Sequence, residues 1–116
     1  MSLGPRSAVS RERDVIPAHV RRLVTRHIKS VSELEILLLA RTTKGRAWNA
    51  DDASRELRTS PASASLRLDQ LARKGFLARG SDGYRYVASG ELDATVAELE
   101  LAYATYRTRI VTLIFD

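Results

Sequence analysis

The 116-residue chain is 44% hydrophobic and 28% charged, a balance that fits a folded globular domain and excludes a disordered or fibrous one. Its net charge of +5 and pI near 10.1 point to a polyanionic partner or to solubility alone, while the lack of cysteine excludes disulfides, thiolate metal sites and a cysteine nucleophile. No apolar run approaches a membrane span and no stretch reads as a secretory leader, so a cytoplasmic location without membrane contact is expected.

The charge is unevenly spread. Residues 1–30 carry +5, residues 31–60 balance, residues 61–90 carry +3 and residues 91–116 carry −3. Residues 1–14, with Arg6, Arg11 and Arg13 beside Gly4 and Pro5, read as a flexible basic arm or a plain disordered tail. A compact domain is expected over residues 15–88. Its first helix starts at Pro17 and presents Val20, Leu23, Val24 and Ile28 at helical spacing. The next helix opens on two overlapping capping boxes, Ser30 to Glu33 and Ser32 to Glu35. Leucine and isoleucine then surround it on most sides, which marks a central helix, and Gly45 lies just past its end.

Arg46-Ala47-Trp48 reads as a short extended piece, with Trp48 in the core. Asn49 caps a short helix over residues 50–58, with Asp51 and Asp52 in its first turn. After a tight turn, Ser60 caps a further helix whose first residue is Pro61 and whose core positions are Ala64, Leu68 and Leu71. Gly75 ends it. Phe76–Arg79 and Tyr84–Val87 then alternate as strands around a Gly80–Gly83 turn, giving a β-hairpin. From Ser89 the chain reads as one helix. Leu92, Val96, Leu99, Tyr103, Tyr106, Ile110 and Leu113 step by four and three, a heptad seam. That seam either pairs with a second copy, making residues 89–116 a dimerisation helix, or folds back on its own domain. The apolar end before Asp116 either docks on a neighbour or continues in a longer protein.

The fold class expected is therefore mostly α with a small β-hairpin. The segment Leu68-Asp-Gln-Leu-Ala-Arg-Lys-Gly-Phe-Leu77, preceded by Leu57-Arg-Thr-Ser-Pro-Ala-Ser-Ala64, resembles winged helix-turn-helix transcriptional regulators of the MarR, ArsR and PadR type. The resemblance implies a winged helix-turn-helix with a long C-terminal dimerisation helix, acting as a homodimer on double-stranded DNA. It implies that Thr59, Ser60, Ser63, Ser65 and Arg67 face DNA, with Gln70 at the far edge and Arg79 and Arg85 flanking the wing tip. Each has a plainer reading beside it: Thr59 and Ser60 as helix caps, Arg79 and Arg85 as solvated strand residues, Arg73 and Lys74 as complements to a helix dipole.

Leu66 leaves the core face, which favours a thymine-methyl contact, a protein contact or nothing. The alternative function is accordingly a winged-helix protein-interaction module without DNA binding. No enzyme signature, metal spacing or cofactor motif is present, so neither catalysis nor a cofactor is expected. Tyr103 and Tyr106 are interface aromatics or the lining of a small-molecule pocket between tail and core.

Overall fold

A computed structural model describes residues 15–115; the basic arm at 1–14 and Asp116 lie outside the described residues. Within that range the chain forms α1 (Ala18–His27), α2 (Val31–Thr42), α3 (Ala50–Leu57), α4 (Pro61–Arg73), β1 (Leu77–Gly80), β2 (Gly83–Tyr86), α5 (Gly90–Thr105) and α6 (Arg107–Phe115). It is mostly helical with one antiparallel hairpin, as the patterning implies. Among the described residues no helix is long and apolar enough to cross a membrane.

Local chemistry sets the boundaries. Ser30 caps α2 by accepting the Glu33 N–H at 3.0 Å, and the Glu33 carboxylate reaches back to the Lys29 N–H at 2.7 Å. The second candidate box, from Ser32, is not used, because Ser30 is already the residue in extended backbone at the helix start. Asn49 accepts from the Asp52 N–H at 2.8 Å and Ser60 from the Ser63 N–H at 3.1 Å, so α3 and α4 each satisfy one orphan donor. Helix α4 ends in a paired bond set: Phe76 N–H to Leu71 C=O at 3.1 Å and Gly75 N–H to Ala72 C=O at 3.2 Å, with Gly75 at φ +89°. That is the Schellman arrangement, which glycine alone adopts without a Cβ penalty.

The core is continuous from end to end. Val20, Leu23 and Val24 of α1 meet Leu34, Ile36 and Leu37 of α2, Leu68 and Leu71 of α4, and Phe76 at the hairpin entry. Strand β1 pairs β2 in the register Leu77 to Tyr86 and Gly80 to Gly83. Trp48 extends this ribbon by one bridge, donating to Tyr84 C=O at 2.9 Å and accepting from Tyr84 N–H at 2.8 Å. Its ring is buried and its indole N–H donates to Thr43 Oγ1 at 2.8 Å. Gly83 permits this contact. A Cβ there would lie 2.6 Å from Trp48 O, at a φ of +132°. Both atoms of that clash are backbone-bound. Gly83→Ala is therefore expected to detach the hairpin from Trp48, at a cost on the order of 2–3 kcal/mol. A red shift in tryptophan fluorescence and a lowered unfolding midpoint would register it; an unchanged spectrum would contradict the tight approach.

The C-terminal region corrects the sequence reading in one respect. The single helix over residues 89–116 is two helices, broken at Tyr106, whose backbone leaves the helical region at φ −126°, ψ 50°. The seam is also covered by the chain itself: Val96, Leu99 and Ile110 are fully buried, Leu92, Tyr103 and Leu113 half-buried, and Tyr106 exposed. Helices α5 and α6 both pack on α1. On either side of the break, Leu99 of α5 and Ile110 of α6 are both buried in the one core. Of the two alternatives for the seam, the residues fold back, and the large apolar groups left outside on this region are Leu101 and Phe115, at 70% and 73% exposure, with Tyr106.

Candidate nucleic-acid interface

Helices α3 and α4 meet at a turn of three residues, Arg58, Thr59 and Ser60. Arg58 closes α3 in the left-handed region at φ 56°, a position a side chain seldom takes. The turn brings α4 back against α3, and the Arg58 side chain is exposed. Among the described residues Arg58 has no ion pair or hydrogen-bonded side-chain partner.

Helix α4 divides into three faces. Ala64, Leu68 and Leu71 are fully buried. A flank of Ser63, Arg67 and Gln70 is half-buried, and there Arg67 donates to Gln70 Oε1 at 3.2 Å while its Nε is buried without a partner. The outer face carries Ala62, Ser65, Leu66, Asp69 and Arg73. Leu66 is 50% exposed, and Arg73 is held by Asp69 at 2.7 Å. So Arg67 and Gln70, expected toward a groove, are engaged with each other on the flank, and Ser65 alone of the expected helix residues is fully outward. The helix start is also sparing with backbone donors. Pro61 has no N–H and that of Ser63 is taken by Ser60, which leaves the Ala62 N–H for a phosphate.

The hairpin supplies the second wall. A groove of ≈ 430 Å³ runs between Ser65, the Asn49–Ala50 start of α3 and the hairpin tip from Arg79 to Tyr84. The Arg79 guanidinium sits 5.9 Å above the Tyr84 ring, with no carboxylate partner among the described residues. Arg85 behaves differently. It donates to Gly45 C=O and to Asp82 Oδ2 at 2.8 Å, so its charge is committed to the tip of its own hairpin. Arg46 stacks 3.7 Å over the Trp48 ring and approaches Asp52 at 3.9 Å. Among the described residues on this side, Arg58 and Arg79 are therefore the cations without an ion pair. The sequence does not mark Arg58, because nothing local designates a non-glycine residue for left-handed backbone.

No family model matches the chain, and no curated protein or solved structure matches it.

Behind the hairpin lies a polar cluster centred on Asp93 of α5. It accepts from the Tyr86 hydroxyl at 2.7 Å and from Arg41 Nε at 3.1 Å, while Arg41 also donates to Glu100 at 2.6 Å and Lys44 stands 3.8 Å away. The Tyr86 hydrogen bond, followed by the bond from Arg41 and the nearby cations, holds the Asp93 carboxyl below its ordinary range against the opposing effect of burial. Burial first, then the Asp93 carboxylate, pushes the Tyr86 phenol well above its ordinary value. Burial also opposes the Arg41 charge, but the bonds to Asp93 and Glu100 outweigh it and raise its pKa.

The two tail tyrosines part company. Tyr103 lines an apolar groove of ≈ 340 Å³ with Leu38, Leu39 and Leu57, and its hydroxyl lies 3.4 Å from Glu35, beside Arg107. Burial and the Glu35 charge raise its pKa. Tyr106 instead sits with Leu101, Val15 and Pro17 on the other side of α5. Neither histidine joins a metal-binding group among the described residues: His19 contacts Glu98, and His27 meets the Phe76 ring edge-on at 6.1 Å.

Proposed function

We propose that the chain is a winged helix-turn-helix protein that binds duplex DNA as a homodimeric transcriptional regulator, with α4 in the major groove and the β1–β2 hairpin as the wing. The observation that carries this reading is the pair Arg58 and Arg79. They flank the N-terminal end of α4, one on the turn before it and one across the Ser65 groove, and neither has an ion pair among the described residues. Two free guanidinium groups on either side of an exposed helix start suit the phosphates that border a groove. The exposed Leu101, Tyr106 and Phe115 supply apolar surface through which a second copy would dock.

The composition of α4 favours backbone over base contacts. Its outer face offers Ser65 for a base edge, and Leu66 for a thymine methyl. Titration of random-sequence duplex DNA tests the reading. Arg58→Ala/Arg79→Ala should weaken binding about tenfold or more and reduce the salt slope by about 1.8. Absence of binding by the unaltered protein at low salt would sink it.

Leu66 favours a second reading. Half exposed beside a neutralised Asp69–Arg73 pair, it suits a protein partner better than a charged one. On that reading Leu66→Ser abolishes capture of the partner, and Arg58→Ala/Arg79→Ala changes nothing.

A further inference from the structure

The outer face of α1 carries an uncompensated positive patch. Arg22 and Arg26 are one turn apart on its exposed side, and Lys29 is exposed in the link to α2. None of the three side chains has an ion pair among the described residues. The sequence from Val15 to Ser32 contains no carboxylate. The next acid, Glu33, is fully buried and taken by Lys74 at 2.6 Å, and Glu98 of α5 is turned to His19 near the opposite end of α1. A helix C-terminus accounts for Arg26 through its dipole, but Arg22 lies too far from the end to gain from it. The apolar residues of α1, Val20, Leu23 and Val24, are in the core, so the patch has no apolar component for a bilayer.

Its position supplies the rest. Lys74, at the C-terminal cap of α4, donates to His27 C=O at the end of α1. The C-terminal end of α1, with Lys29 next in the chain, therefore adjoins the C-terminal end of α4, while Arg58 and Ser60 mark the N-terminal end of α4. Thirteen residues of helix separate the two, a length of about 20 Å. A major groove is about 12 Å wide, so a helix crossing it brings its two ends to opposite walls.

We infer that Arg22, Arg26 and Lys29 form a second phosphate-binding surface, which takes the backbone of one DNA strand while Arg58 and Arg79 take the other. This rests on the DNA-binding reading above. Guanidinium groups one helical turn apart bind successive phosphates of a single strand, and the grip fixes the angle of α4 without reading sequence.

The test is a salt titration of duplex affinity for the unaltered chain, for Arg22→Gln/Arg26→Gln/Lys29→Gln, for Arg58→Ala/Arg79→Ala, and for Arg107→Gln/Arg109→Gln as a charge control on α6. The α1 variant should lower the slope of log affinity against log salt by about 2.7, so that the affinity lost between about 50 and about 200 mM salt shrinks roughly 40-fold. Its melting temperature should stay unchanged, since all three side chains are exposed. Unaltered affinity and slope in the α1 variant, with Arg58→Ala/Arg79→Ala impaired, would overturn this inference and leave the DNA-binding reading intact. An equal drop in the charge control would overturn it as a bulk charge effect. Loss of self-association with DNA affinity retained would overturn it in favour of an acidic surface on a second copy. No binding by the unaltered chain would remove both readings together.

Discussion

Replacing Lys74 with methionine is expected to cost the domain about 3–5 kcal/mol, because it strands a fully buried carboxylate. Glu33 has no exposure, and two groups satisfy its carboxylate: the Lys29 N–H at Oε1 and the Lys74 ammonium at Oε2. Lys74 also ties α4 to the end of α1 through His27 C=O. Removing the cation leaves the negative charge without its partner, and the loss corresponds to a fall in Tm on the order of 15 °C. Urea denaturation measures it directly. Glu33→Gln/Lys74→Met should regain much of the loss, since the charge requiring compensation is then gone. A penalty below about 1 kcal/mol for Lys74→Met would mean that water reaches Glu33.

Leu99→Ala addresses the tail. Leu99 is fully buried between α5 and the core, so truncation removes its packing and leaves a cavity, at about 2–5 kcal/mol. The decisive feature is concentration. Because the chain's own residues cover Leu99, the difference in stability between variant and parent should be the same at high and low protein concentration. A seam buried only between copies would give a difference that grows with concentration. Leu101→Ala, on the 70% exposed side of the same helix, should leave the stability of the monomer, read at low protein concentration, within about 0.5 kcal/mol of the parent.

What was legible in the sequence was local. Ser30, Asn49 and Ser60 are caps because the residues following them begin apolar periods, and each makes the expected bond. Gly75 followed by Phe76 announces the end of α4 for the same reason. The tail misled because its four–three spacing continues through Tyr106, where the helix breaks. No glycine or proline marks that point. The only trace is the run Thr105-Tyr106-Arg107-Thr108, whose β-branched and aromatic members favour helix weakly. Two helices with one apolar stripe then satisfy the same period as one helix with a seam, and the pattern cannot tell whose surface covers it.

The candidate interface was less legible than the fold. Arg85 and Arg79 look alike in sequence, yet Arg85 closes on Gly45 C=O, forty positions away, and Arg79 does not. Arg67 reads as a free cation, but it lies on the half-buried flank of α4 and donates to Gln70. Glu33 shows the same limit from the other side: its cap role is local, while its partner Lys74 lies 41 residues on.

The Asp93 cluster bears on how the molecule comes apart. A ribbon of two four-residue strands has little stability of its own. Here the last residue of the ribbon, Tyr86, is bonded to the first turn of α5, and the same carboxylate holds Arg41 near the end of α2. Fraying of α5 from its N-terminus thus breaks one tie of the ribbon and one tie of α2 at the same moment. The hairpin is thereby fastened both to the helix that follows it and, through Asp93, to Arg41 of α2, 52 positions away, and a disturbance at any of the three reaches the others.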